Sequence, residues 1–207
     1  GDFYDFFFQD EETETLYLVI GDVSDKGIGA ALFMAIARTL LRSLVREKRE
    51  PGELLERLND ELSRNNESCM FVTLFCAAVH LPSGACRYAS GGHCPPMLLK
   101  PTGQLVLLNQ AKGPVIGGME GMLYTEGRCL LEAGDMLLLY TDGVTEAATK
   151  EDELFGEARL ETAFCTRPKA APDVLLREIR AELNDFAAGA EQSDDITMLA
   201  FRYWGLK

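Results

Sequence analysis

Histidine is nearly absent from this 207-residue chain, which has two, and none of its six cysteines forms a C-x-x-C pair. A zinc site or a Ser-His-Asp triad therefore has little to draw on. The cysteines, at 69, 76, 86, 94, 129 and 165, are scattered, several of them in strand-like apolar runs. Buried, reduced thiols in a cytosolic protein explain that better than a disulfide framework. Basic residues are also short, 20 against 33 acidic ones, a net charge of −13. Such a surface repels phosphate backbones and anionic lipid, so neither nucleic acid nor membrane is an expected partner. Arg38 and Arg42 interrupt the longest apolar stretch, so no run approaches the ~20 residues of a membrane helix. No repeat, low-complexity linker or sustained heptad is present, which excludes disordered, collagenous and coiled-coil classes. The start, Gly1-Asp2-Phe3-Tyr4-Asp5-Phe6, lacks the basic and apolar regions of a signal peptide. It reads as the interior of a domain, with further sequence expected upstream.

What remains is 47% hydrophobic, enough for one compact, soluble, cytoplasmic domain over residues 1–207 that buries about 70% of its unfolded surface. An aromatic strand at the start and a charged turn, Asp10-Glu11-Glu12-Thr13-Glu14, precede an apolar strand at Leu16–Val23. Helical spacing of Leu32, Ala35, Ile36, Leu40 and Leu44 predicts a helix over Gly27–Lys48, and Pro51 opens another to about Asn65. Short strands follow at Met70–His80, Ala85–Ala89, Met97–Lys100, Gln104–Leu108, Leu123–Leu131 and Asp135–Thr141. The turn signals between them, among them Pro82-Ser83-Gly84, Pro101-Thr102-Gly103 and Glu132-Ala133-Gly134-Asp135, predict hairpins and antiparallel pairing. Two helices, Gly156–Cys165 and Pro172–Ala187, and a strand at Ile196–Tyr203 close the chain. Strands apolar on both faces need cover on each side, so the order predicts an α+β fold, an antiparallel two-sheet sandwich flanked by helices.

Aspartate recurs where an apolar strand meets a glycine-bearing loop: Gly21-Asp22-Val23, Thr141-Asp142-Gly143, Ser193-Asp194-Asp195 and Gly1-Asp2. Strand parity puts Asp22 on the face of Leu18 and Ile20, and Asp142 on that of Leu138 and Tyr140. Carboxylates gathered at the rim of a core repel one another and resist desolvation. Divalent cations resolve the conflict, and an oxygen-only donor set selects Mg²⁺ or Mn²⁺. Two such ions can clamp a phosphate and acidify a shared water.

These motifs, together with Lys26-Gly27-Ile28-Gly29-Ala30-Ala31, Met70-Phe71-Val72-Thr73, Ser90-Gly91-Gly92-His93 and Tyr140-Thr141-Asp142-Gly143, stand in an order that resembles the SpoIIE/RsbU-type branch of the metal-dependent PPM (type 2C) serine/threonine phosphatases. The resemblance implies an αββα sandwich and hydrolysis of phosphoserine or phosphothreonine by metal-activated water, with Asp22 and Asp142 catalytic. It implies two Mn²⁺ or Mg²⁺ ions, Asp22 bridging them, Asp2 and the Val23 carbonyl on one, Asp142 and Asp194 on the other. Asp195 is taken as an outer partner, with the choice between it and Asp194 left open, and Asp5 as structural because it points away from Asp2. The implied substrate is a phosphorylated STAS-domain anti-sigma-factor antagonist, with an upstream sensor or receiver domain in the same chain and a homodimer left open. The first two helices read as the route of an upstream signal. A catalytically silent binding module of the same fold is the alternative.

Other features read as decoys. His93-Cys94 with Lys100 mimics a cysteine-phosphatase loop, but Pro95 and Pro96 remove two backbone donors. Gly27-Ile28-Gly29 lacks the third glycine of a dinucleotide fingerprint. Asp135 is expected to be structural, in a hairpin turn; Lys26 is a candidate phosphate contact and Glu146 a candidate outer hydrogen-bond partner.

Overall fold

The computed structural model describes residues 1–9, 14–47, 49–64 and 66–205. The charged turn expected at residues 10–14 lies almost wholly outside them, as do the helix ends expected at Lys48 and Asn65. The elements are β1 (Phe3–Phe8), β2 (Thr15–Val23), α1 (Ile28–Val45), α2 (Pro51–Ser63), β3 (Val72–His80), β4 (Ala85–Gly91), β5 (Met97–Leu99), β6 (Leu105–Leu107), β7 (Glu126–Leu130), β8 (Met136–Tyr140), α3 (Asp142–Thr145), α4 (Gly156–Cys165), α5 (Pro172–Ala187) and β9 (Met198–Arg202). They form the expected α+β arrangement of two antiparallel sheets with helices, divided between two compact units.

The first unit, residues 1–95 and 109–131, holds a five-stranded sheet in the order β1-β2-β3-β4-β7. Helix α2 forms because Pro51 sits at its first turn and Leu54, Leu55, Leu58 and Leu62 fall on one buried face. These leucines pack with Ala37, Leu41 and Leu44 of α1 against Tyr17, Val19, Leu74 and Cys76. Asn59, fully buried, donates to the Met119 carbonyl and accepts the Gly117 N–H, which ties the loop before β7 to α2.

Strand β1 is the sheet edge, and its alternation is unusual. Phe3, Asp5 and Phe7 turn inward, while Tyr4, Phe6 and Phe8 are exposed. Asp5 is the buried anion among them. Arg42 grips it through Nε and Nη2, both at 2.6 Å, and Arg38 Nε adds a bond of 2.9 Å. The Arg42 guanidinium also lies 4.6 Å over the Phe7 ring, which stacks on Tyr17. Asp5 is thus structural, and α1 is held to the edge strand by charge.

By length and composition alone α1, with 18 residues and a mean hydropathy of 1.6, is long and apolar enough to cross a membrane, a test that core helices also pass. This corrects the expectation that its arginines exclude it on sequence grounds. Both arginines are spent on Asp5, and the helix is one-third buried.

The second unit, residues 96–108 and 132–205, holds a four-stranded sheet in the order β6-β5-β8-β9. Every residue of β8 is buried, consistent with its unbroken run of apolar side chains. Leu175, Ile179 and Leu183 line the buried face of α5. One expectation fails here. Residues 132–135 are not a hairpin turn, because β7 pairs with β4 whereas β8 pairs with β5 and β9. The segment carries the chain from one sheet to the other. Asp135 is buried there, bonded to Lys100 Nζ at 2.7 Å and accepting the Glu132 N–H.

Burial opposes ionisation of Asp5, but the Arg42 and Arg38 hydrogen bonds and charges outweigh it and hold the carboxyl below its ordinary range. A carboxyl depressed in the folded state stabilises the fold above its unfolded pKa, and that contribution is lost as pH falls through the folded value. Asp5→Asn is expected to cost about 2 kcal/mol at neutral pH, read as a melting temperature lower by about 6 °C. The gap between wild type and variant should hold down to about pH 4 and narrow below it; a gap that widens on acidification would contradict the assignment.

Candidate active site

In the first unit the end of the β1–β2 pair carries Asp22 and the Val23 carbonyl. Phe3 pairs with Gly21, so the same register carried one residue further sets Asp2 opposite Asp22. Both then project from the face of the sheet opposite Phe3, Asp5 and Phe7. Gly21 permits this register: a Cβ there would come within 2.9 Å of the Phe3 ring, the Leu74 side chain and the Thr73 carbonyl. Gly1 lies against the same place. A Cβ on it would fall 2.4 Å from the Val23 carbonyl oxygen and 3.2 Å from Asp22 Oδ1. The Val23 carbonyl, the Asp22 carboxylate and the start of the chain therefore converge on one spot.

On the other side of Asp22, β3 places Thr73 in register with it. Thr73 Oγ1 lies 2.9 Å from His93 Nδ1. His93 is fixed in turn by Ser90, whose hydroxyl accepts the His93 N–H and faces its carbonyl. Gly92, with φ of 69°, makes the bend and donates to the Gly113 carbonyl. Sequence reasoning places His93 in one of the family-like motifs and in the cysteine decoy, and gives it no role of its own. Its place near Asp22 follows from the β3–β4 and β2–β3 registers together, which no local motif encodes.

In the second unit the aspartates stand at the end of β8 and before β9. Thr141 N–H donates to the Thr197 carbonyl at 3.1 Å, and Thr197 N–H returns to Thr141 Oγ1 at 3.1 Å. This exchange joins the end of β8 to the approach to β9. Asp142 follows as the first residue of α3, so strand parity with Leu138 and Tyr140 does not govern where it points. The chain has already turned into a helix. Gly143 is required by close approach: a Cβ there would sit 1.9 Å from the Asp195 carbonyl oxygen and 3.6 Å from Asp194 Cβ. Asp142 and Asp194 are brought to the same corner in this way. Asp194 is half-buried, with Oδ1 accepting the Asp195 N–H at 2.9 Å, whereas Asp195 is exposed.

Asp2 and Asp22 lie in the first unit and Asp142 and Asp194 in the second, and among the described residues no three carboxylate, imidazole or thiolate side chains form a metal cage. The donors are all oxygen, the chemistry of Mg²⁺ or Mn²⁺ rather than zinc or copper. The remaining candidates fall elsewhere. Lys100 is paired with Asp135 and Glu132, so the cysteine-phosphatase mimic has lost its cation. Lys26 is exposed on the turn between Asp22 and α1, and Glu146 is exposed after α3.

Replacing Gly143 by alanine should force the Asp194–Asp195 backbone away and cost about 3 kcal/mol, seen as a lower denaturant midpoint with an unchanged slope. A variant as stable as wild type would mean that the two segments do not touch.

Comparison with known proteins adds the following. Residues 12–204 match the family described as Stage II sporulation protein E (SpoIIE). The chain is 34% identical to the phosphoserine phosphatase RsbU of Bacillus subtilis, over 98% of this chain and 59% of RsbU. It is 33% identical to protein IcfG of Synechocystis sp., over 97% of this chain and 35% of IcfG. The chain therefore spans less than two thirds of either relative. Among solved structures, the SiaA-PP2C domain of Pseudomonas aeruginosa superposes with a TM-score of 0.84, at 21% identity, over 98% of this chain and 80% of that one. At that identity the likeness speaks for the fold, a PP2C phosphatase fold.

Proposed function

This chain belongs to the SpoIIE family, and from that membership and the placement of its aspartates we propose that it is a Mn²⁺- or Mg²⁺-dependent protein serine/threonine phosphatase. The observation that carries the proposal is the convergence of Asp2, Asp22 and the Val23 carbonyl at the open end of the β1–β2 pair. Homology to RsbU, a phosphoserine phosphatase, supports the reaction class.

In this reading Asp2, Asp22 and the Val23 carbonyl of the first unit, and Asp142 and Asp194 of the second, are the groups that would hold the ions. Bound there, the ions supply Lewis-acid charge to a phosphoryl group and acidify water for its attack. The protein's own part is positional. Asp22 lies in a strand paired on both sides, by β1 and β3, so its carboxylate has little freedom to retreat from the charge it meets. Asp142 is held by the Thr141–Thr197 exchange and Asp194 by the Asp195 N–H. Fixed carboxylates of this kind need no reorganisation as charge develops, which is where electrostatic catalysis gains most. No side chain of either unit is assigned as nucleophile.

The substrate we assign is a phosphorylated STAS-domain anti-sigma-factor antagonist, met in the cytoplasm. The output is transcriptional control under an upstream sensor or receiver domain of the same protein. Family membership supports this assignment.

Hydrolysis of a generic aryl phosphate tests the reaction. Turnover should require Mn²⁺ or Mg²⁺, fall at least about 100-fold in Asp22→Asn, and survive Cys94→Ser. Turnover that is lost in Cys94→Ser and kept in Asp22→Asn would overturn the mechanism. A folded wild type that binds metal without turnover would make the chain a binding module.

A further inference from the structure

A cavity of about 280 Å³ opens within the second unit, beside Asp194 and Gly143. We propose that it is a recognition pocket for a lysine or arginine side chain of the substrate, close in sequence to the phosphorylated serine. The inference rests on the phosphatase reading for its location, because Asp194 belongs to both the corner and the pocket wall.

The pocket's chemistry identifies the guest. Its walls are apolar and low in bulk, with Leu183 and Ala187 from α5 facing Ala147 and Ile196. That lining suits an alkyl stem. Its mouth is negative for two independent reasons. The C-terminal turn of α5 ends here: Ala188 takes the left-handed conformation, its N–H bonds the Asn184 carbonyl, and the last turn has no basic residue. A helix C-terminus left in this state carries partial negative charge that favours a cation. Glu191, three residues past the Ala188 cap, lines the same cavity. Among the described residues, no lysine or arginine lines the cavity to neutralise either source. A guest with an apolar stem and a cationic tip satisfies both parts of the lining. A phosphopeptide with an acidic residue in the same place meets like charge, in a chain that already carries −13.

Affinity and turnover are measured separately. Fluorescent peptides carrying a non-hydrolysable phosphonate analogue of phosphoserine, with lysine, alanine or glutamate at each flanking position, are titrated into the 207-residue chain. At one or more positions lysine should bind at least about fivefold more tightly than alanine, with glutamate weakest. That preference should disappear in Glu191→Lys, which reverses the mouth, and in Ala187→Phe, which fills the cavity. Both variants should keep aryl phosphate turnover within about twofold of wild type, since neither residue belongs to the catalytic corner. Equal affinity for lysine and alanine peptides at every position overturns the pocket, as does a lysine preference that persists in both variants. Aryl phosphate turnover reports on the phosphatase reading alone: its absence in wild type, with the lysine preference intact, removes that reading and keeps the pocket.

Discussion

The grip of Arg38 and Arg42 on Asp5 decides where the edge strand lies, and with it where Asp2 can go. An edge strand has hydrogen bonds on one side only and is the part of a sheet most free to slip or fray. Here three short charge-assisted bonds and a stacked guanidinium tie β1 to α1. A slip of one residue would turn Asp5 away from α1 and Phe6 toward it. It would also exchange Asp2 for a neighbour opposite Asp22. The structural carboxylate Asp5 thus fixes the register that sets Asp2 opposite Asp22.

A second constraint is steric. In each unit a glycine allows backbone or ring to approach what a side chain would displace. Gly21 admits the Phe3 ring beside Asp22, and Gly143 admits the Asp195 carbonyl beside Asp142. The carboxylates are then pinned by neighbours that do not share their charge. Thr73, Thr141 and Thr197 supply hydrogen-bonding groups to the surrounding frame without adding to the repulsion.

Much of this was legible from the sequence. The limits of α4 and α5 follow directly from the apolar spacing and from Pro172, and the structural role of Asp5 follows from its opposite parity to Asp2. The failures have physical causes. Residues 132–135 carry a turn signature, but turn chemistry does not say whether the next strand pairs with the last one or crosses to another sheet. Asp142 was assigned a strand face because the apolar run continued to Tyr140, whereas the Thr141–Thr197 exchange ends the strand and starts a short helix. His93 beside Thr73 depends on pairing between distant strands. The pocket at the end of α5 depends on the left-handed turn at Ala188, a conformation alanine seldom adopts and sequence therefore does not announce.

The central claim is that these aspartates exist to hold cations. Calorimetric titration of Mn²⁺ into the wild-type chain, beside Asp142→Asn and Asp22→Asn, tests it without reference to turnover. The account predicts two ions per chain in wild type, and weakened or lost Mn²⁺ binding in Asp142→Asn and in Asp22→Asn alike. Identical binding curves for all three proteins would contradict it.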